Sequence, residues 1–579
     1  MSTLNIKPSV ERLINYPHLP ELVQQLSEHY HSQCVTLDDL KTIGLTLWQF
    51  LNIGATLIPS ALVIECHTDA LLGLPWECLY HPELGFLGKH PDYTLSRRIP
   101  VNYKVEAPPA GPLNILLWTA QPEKMTHQSR SLDIEMEQQT VLTALTPFIS
   151  AGWVRFYAPS EGSFSRFVEL LQSEPWTVVI LNGHGVVLEQ SAFFVFEGED
   201  GSEEFISTGT LAQVFKGSHV QCVVVAACQS AQVLGTKTNL VIPIIQAGVP
   251  HVIGMREPLI DRAGSVFVQT LCVALAERKR VDVAVQQARA AMTQLLGPNE
   301  VWRDLARSYE PNGNEVAEPS VGQWCLPILL SHDPTQALLN WHFCPQPSLF
   351  APVGSKIALP RVFIGRRREL CLLSKALRIG TIRQLVIHGT GGLGKTALAG
   401  QLAITMAQQG YRIFAYQVGG KMGFIPTLAQ ALELPHINCL ETLLKKVAGR
   451  WLLWLDNLEQ IYNSPNGSLT DSSIQSNLNI LHQWKTIDLR ILLTSRCTHF
   501  DATIYSYNYH LKRPSFNDFS RYLQHLGSPY QFPQTLKIYQ ALGGNFQGVQ
   551  LLQSMPFCLD MPDLIKQLAI VRRYLQAYL

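Results

Sequence analysis

Two groups of residues in this 579-residue chain have types and spacings that could do chemistry. The first is Gly389-Thr390-Gly391-Gly392-Leu393-Gly394-Lys395-Thr396, a full match to G-x-x-x-x-G-K-[ST]. It lies between the apolar run Gln384–His388 and a helical pattern, Ala397–Gln408. Glycines let such a loop curl until its N–H groups face phosphate oxygens, and the following helix adds partial positive charge. Lys395 would reach the β- and γ-phosphates, and Thr396 would ligate Mg²⁺. A partner acid is expected at another strand end, and Trp451-Leu452-Leu453-Trp454-Leu455-Asp456 supplies it, with Asp456 on Mg²⁺. Asn457 stands where many ATPases place a second acid, which predicts weak hydrolysis, and Glu459 follows. A further run, Arg490–Thr494, ends in Ser495-Arg496. An arginine there can report on a γ-phosphate or form a plain surface ion pair.

The second group sits in the first half of the chain. Trp176–Leu181 leads into Asn182-Gly183-His184-Gly185, and His219–Ala227 leads into Cys228-Gln229-Ser230-Ala231. If both runs belong to one open parallel sheet, their carboxyl ends share an edge, and ligands bind in the crevice there. His184 as general base beside Cys228 as nucleophile would yield a thiolate near neutral pH. Backbone N–H groups near the flanking glycines could form an oxyanion hole. The same residues also fit a cysteine packed at a strand end and a histidine in a polar turn. Cys222, inside the apolar run, reads as core. The 12 cysteines include no C-x-x-C pair, so a zinc site built from cysteine pairs is not expected.

These groups need elements to hold them. Apolar runs at Leu113–Ala120, Trp153–Ala158, Val178–Leu181, Val220–Ala227 and His251–Met255 alternate with helical patterns at Ile134–Leu145, Phe164–Gln172, Thr208–Phe215 and Leu240–Ala247. Continuous rather than alternating apolar strands, spaced by helices, indicate a parallel sheet covered on both faces. Ahead of them, Val10–Tyr30 reads as one or two polar helices and Leu57–Cys66 as a strand. Ser331–Pro360 carries five prolines and reads as a linker. A second βαβ series follows, with strands at Gln384–His388, Arg412–Val418, Trp451–Leu455 and Arg490–Thr494, and then a helical tail.

Composition narrows the class. Lys+Arg and Asp+Glu are equal at 45 each, which argues against a generic nucleic-acid binder. Hydrophobic residues reach 46% and charged residues only 16%, enough for sizeable cores and against bulk disorder. The opening MSTLNIKPSVERL has no apolar h-region, and the longest apolar stretch, Val241–Met255, is interrupted by Pro243, Gln246, Pro250 and His251. A cytoplasmic protein without a membrane span is expected.

Two resemblances sharpen these expectations. Phe363-Ile364-Gly365-Arg366-Arg367-Arg368-Glu369-Leu370, the loop at 389–396, the WLLWLDN and ILLTSR segments and Leu542-Gly543-Gly544-Asn545 together resemble the NB-ARC group of STAND ATPases over about 360–555. The resemblance implies tight ATP/ADP binding with Mg²⁺, ADP at rest and self-association on exchange for ATP. Where that family has a Gly-x-Pro turn, this chain has Gly544-Asn545-Phe546. The chain ends at Leu579, before any winged-helix domain or sensor repeats, so a separate sensor protein is expected.

Gly183-His184-Gly185 with Ala227-Cys228-Gln229-Ser230-Ala231 resembles the CHAT family, caspase-like peptidases of the clan that holds caspases and separases. Leu74-Pro75-Trp76-Glu77, Ser96-Arg97-Arg98, the turn Ala247-Gly248-Val249-Pro250, Val283–Arg289, and Trp324 with Pro327 extend the match over roughly 55–332. It implies His184 as base, Cys228 as nucleophile and a polypeptide substrate. Asp133, Glu135 and Asp261 are candidate pocket acids, or solvated loop charges.

The expected architecture is α/β: an N-terminal part of the CHAT region (1–105), a caspase-like core with a mostly parallel sheet (106–332), a linker (333–358), a P-loop NTPase domain (359–510) and a helical subdomain (511–579). The expected function is a nucleotide-regulated caspase-like cysteine endopeptidase. The alternative is a signalling NTPase or scaffold whose caspase-like domain is an inactive interaction module.

Overall fold

The computed structural model describes residues 2–32, 34–54, 57–99, 107–122, 134–188, 191–198, 200–226, 239–257, 259, 261–294, 322–345, 353–354, 357, 363–380, 382–419, 422–461, 472–484, 487–496, 506–527, 530, 532–553, 563–568 and 570. The chain divides into two compact units, Met1–Ser348 and Leu349–Leu579.

The first unit contributes strands β1 Ser2–Ile6, β2 Ser60–Glu65, β3 Tyr80–His81, β4 Gly85–Phe86, β5 Thr94–Arg98, β6 Leu113–Thr119, β7 Val154–Tyr157, β8 Val178–Asn182, β9 His184–Leu188, β10 Ser191–Glu197, β11 Glu203–Ser207, β12 Cys222–Ala226, β13 His251–Met255 and β14 Pro327–Ser331. Nine of them form one sheet in the order β1-β2-β5-β14-β13-β12-β8-β6-β7. All neighbours are parallel except β13 and β14, so the sheet is two parallel halves running in opposite directions. Every residue of β6, β8 and β13 is buried, as continuous apolar strands between two helical layers require. The helix Leu37–Leu51 starts at a reciprocal cap. Thr36 accepts from the N–H of Asp39, and the Asp39 carboxylate accepts from the N–H of Thr36.

The segments 74–77, 96–98 and 283–289, distant in sequence, converge beneath the sheet. Glu77, fully buried, binds Arg97 through both carboxylate oxygens and lies 3.5 Å from Arg289. Arg289 also donates to the carbonyls of Pro327, at 3.1 and 2.7 Å, and Leu95, at 3.3 Å. Removing one member would strand a buried charge, which costs about 3–5 kcal/mol. These residues therefore tie the helix Val281–Gln294 and the Glu77 turn to the neighbouring strands β5 and β14.

Two features differ from the expectation. An antiparallel three-stranded sheet, β11-β10-β9, follows β8 directly, in a stretch where the sequence reading placed no strand. Part of the stretch expected as a linker is packed on the first unit. Leu338 and Leu339 are buried, Asn340 N–H donates to the Pro109 carbonyl at 2.9 Å, and the Phe343 ring meets Trp153 edge-on.

The second unit contributes β15 Val353–Gly354, β16 Gln384–His388, β17 Arg412–Gln417, β18 Arg450–Asp456, β19 Asp488–Ser495 and β20 Ser506–His510. They form an all-parallel sheet in the order β15-β17-β18-β19-β16-β20. Alternate residues of β18 serve opposite cores: Trp451, Leu453 and Leu455 pack with Phe414, Leu443 and Ile491, whereas Leu452 and Trp454 pack with Leu373, Leu398 and Leu492. Helices Phe516–His525, Phe532–Leu542 and Phe546–Gln553 build a separate small core around Phe519, Ile538, Leu542 and Val549. No helix among the described residues is long and apolar enough to cross a membrane.

Candidate functional site

In the first unit, β8 and β12 are adjacent parallel strands, and their register pairs Asn182 with Ala226 at the carboxyl edge. Positions 184 and 228 each follow that pair by two residues in the sequence. Between Asn182 and His184 the chain must turn tightly. A Cβ on Gly183 would lie 2.8 Å from the Phe194 ring and 3.1 Å from the Ala120 carbonyl oxygen, so only glycine fits. The Asn182 amide donates to Glu137, and its carbonyl accepts from Ala120 N–H at 3.0 Å, which holds the strand end.

His184 opens β9 and pairs with Val195 of β10, so the small antiparallel sheet fixes its backbone. Its side chain is half-buried, and its Nε2 is buried with no hydrogen-bond partner among the described residues. Burial pulls the imidazole below its ordinary pKa, and Glu203 opposes the shift only in part. A neutral imidazole with an unengaged nitrogen at a strand edge can accept a proton. Cys228 lies outside the described residues, as does Asp133. Glu135 lies in the first turn of the helix Ile134–Ser150, and Asp261 is the first residue of the helix Asp261–Ala276. Cys222 is fully buried and its thiol is pushed up to about 12 by desolvation, consistent with a core role.

In the second unit, the glycine loop joins β16 to the helix Lys395–Gln408. Gly389, Gly392 and Gly394 have φ of +149°, +77° and +88°, which side chains other than glycine rarely adopt. None of the N–H groups of Thr390, Gly391, Gly392, Leu393 and Gly394 donates to an acceptor among the described residues. That is a donor set for an anion. Lys395 Nζ lies over the same loop, donating to the carbonyls of Gly389 at 2.9 Å and Thr390 at 3.0 Å. Burial pushes its pKa down, with Glu459 opposing and Arg496 reinforcing.

Asp456 ends β18, one strand beyond β19, and is 2% exposed. Thr396 Oγ1 donates to it at 3.0 and 3.1 Å to its two oxygens, and Thr494 Oγ1 donates to one of them. Burial raises the carboxyl above its usual pKa, while both hydroxyls lower it. Asn457 sits at φ 63° with its N–H on Thr494 Oγ1 at 3.0 Å. Arg496, expected to face a γ-phosphate, has its Nε 2.9 Å from Glu459 and its N–H on the same carboxylate at 3.2 Å. Loop residues Gly391 to Thr396, Asn457, Glu459 and Arg496 all line one cavity of about 560 Å³. Sequence reasoning missed four contributors to its wall from the helical tail, Tyr522, Phe546, Gln547 and Gln550. No periodicity in the sequence tells a tail aromatic that faces a cavity from one that faces a core.

A CHAT domain model matches residues 38–355. No curated protein matches the chain. Solved structures similar to it include the separase–securin complex of Saccharomyces cerevisiae, at 14% identity, covering 48% of this chain and 16% of that one with a TM-score of 0.29. A Signal Transduction ATPase with Numerous Domains (STAND) protein with a tetratricopeptide repeat sensor from Pyrococcus horikoshii is 17% identical over 37% of this chain and 33% of that one, TM-score 0.26. AMPPCP-bound DnaA from Aquifex aeolicus is 19% identical over 33% of this chain and 63% of that one, TM-score 0.24. The chain thus spans less than two thirds of the length of each of these structures. Because the domain model covers more than half of its residues, the chain belongs to the CHAT-domain family.

Proposed function

We propose that the chain is a caspase-like cysteine endopeptidase controlled by a nucleotide-binding module. The observation that carries the peptidase reading is the register of β8 and β12, with His184 Nε2 unengaged at the shared carboxyl edge. Cys228 follows the last residue of β12 by two positions in the sequence. His184 would take the thiol proton of Cys228, and the thiolate would attack a peptide carbonyl. The amine then leaves with that proton, and water hydrolyses the thioester.

The nucleotide reading rests on the second unit's own donors. Five loop N–H groups and Lys395 would bind phosphate oxygens, and Thr396 with Asp456 would hold Mg²⁺ as paired oxygen ligands. A bound Mg²⁺ would neutralise phosphate charge. On the sequence resemblance to the NB-ARC group of STAND ATPases, nucleotide state would govern self-association and, through it, the peptidase. Asn457 in place of a second acid favours binding over turnover.

The test is a proteome-wide search for new protein termini with wild type and Cys228→Ala. Termini that need Cys228 support the peptidase. Identical termini in both would favour the inactive interaction module.

A further inference from the structure

The carbonyls of the glycine loop are as informative as its N–H groups. Lys395 occupies those of Gly389 and Thr390. The next three are each held from outside the loop. Asn545 Nδ2 donates to Gly391 O at 3.0 Å, Phe546 N–H to Gly392 O at 2.9 Å, and Arg366 Nη2 to Leu393 O at 3.2 Å. In a trans peptide the carbonyl of one residue and the N–H of the next point opposite ways. Pinning five successive carbonyls therefore fixes, peptide by peptide, the direction of the N–H groups of residues 390–394. Two of those donors come from one turn of the helical tail, Asn545-Phe546, and Arg366 Nη2 also bonds to Lys512 O, at 2.8 Å, where the tail begins.

The fit is close. A Cβ on Gly392 would fall 2.2 Å from Asn545 Oδ1, so glycine at 392 is what admits the Asn545 amide. Asn545 is itself held, because its Oδ1 accepts from the N–H groups of Gln547 and Gly548, at 3.0 and 3.1 Å, and so caps the helix Phe546–Gln553. The Phe546 ring packs against Tyr522 and Phe519, which anchors the same turn in the tail's core. The loop and the tail can exchange neither partner without disturbing the other.

We propose that the Asn545–Phe546 turn is a clasp that sets the peptide planes of the phosphate loop, so that nucleotide binding and docking of the helical tail are reciprocally linked. Asn545 is a positioning residue, acting on phosphate through the loop backbone. The inference rests on the nucleotide reading of this site. With the clasp open, fewer molecules hold the binding-competent loop, and apparent affinity falls by that fraction. Linkage requires the converse, that nucleotide holds the tail down by the same factor.

Asn545→Ser separates the clasp from the cap, because a serine hydroxyl still caps the helix but cannot supply the amide donor. ADP with Mg²⁺ is titrated into the full chain by calorimetry, and amide exchange of the helix 546–553 is followed with and without ADP. The expected result is about fivefold weaker binding for Asn545→Ser, the size of one lost hydrogen bond. ADP protection of that helix should be present in wild type and correspondingly smaller in the variant. Wild-type affinity in Asn545→Ser, or a weakening seen only in Asn545→Ala, which also removes the cap, overturns the clasp. Lys395→Ala serves as the separate control. If that variant binds ADP as well as wild type, the nucleotide reading itself fails, whatever Asn545 does.

Discussion

At the scale of single residues, the account turns on protonation and on hard oxygen ligands. His184 is half-buried, and its pKa is lowered by burial, so it stays neutral below the pH at which an ordinary histidine becomes charged. Peptidase activity that depends on it should keep its plateau to pH values below about 6.5 before the acid limb sets in. An acid limb centred above that value would contradict this environment. In the second unit, Asp456 accepts from Thr396 and Thr494. Asp456→Ala should weaken binding of ADP with Mg²⁺ by about tenfold or more while changing binding of ADP in EDTA by less than about threefold. Equal losses in both titrations would show that the carboxylate serves the fold rather than the cation.

At the scale of elements, glycines decide whether the site forms. Gly183 is squeezed between the Phe194 ring and the Ala120 carbonyl, so Gly183→Ala must push β8 away from β10. The expected cost is about 1–3 kcal/mol of stability, with peptidase activity lost more than stability, because His184 is the next residue. Thermal unfolding and peptide cleavage measured on the same preparation would separate the two effects. The strands were legible because buried parallel strands are continuous apolar runs: Gln384–His388 and His251–Met255 fall where those runs place them, and the helix Thr208–Phe215 falls where its period does. The β9–β11 sheet was not legible. In His184–Leu188 the first residue stands between two glycines and the last two are exposed, so the strand is defined by its pairing with β10. The clasp was hidden for a related reason. Asn545 looks like a helix cap in sequence, and only the fold brings its amide to Gly391.

At the scale of the whole molecule, the first unit buries polar groups about its sheet, and one of these sets a pH limit. His251 is fully buried at the start of β13, next to the antiparallel junction, with Nδ1 2.9 Å from Ser331 Oγ. Desolvation first, then His332, pull its pKa down to about 4, with Asp333 opposing. An unfolded chain takes up this proton near pH 6.5 and the folded one only near pH 4. The stability of this unit is therefore undiminished above pH 6.5 and is lost progressively as pH falls towards 4, by about 3 kcal/mol at most from this group. Urea unfolding at pH 5 and 7 should show that slope in wild type and a flatter one in His251→Asn. An equal slope in both would assign the acid sensitivity to other groups.

The proposed function rests on one thiol being a nucleophile under nucleotide control. The most direct measurement is mass analysis of the full-length protein after exposure to an electrophilic peptide probe, with ADP and Mg²⁺ or with ATP and Mg²⁺. The account predicts a single adduct at Cys228, absent in Cys228→Ala, strongly reduced in His184→Ala, and formed at different rates in the two nucleotides. No adduct at Cys228 in either nucleotide, or labelling that Lys395→Ala leaves unchanged, would contradict it.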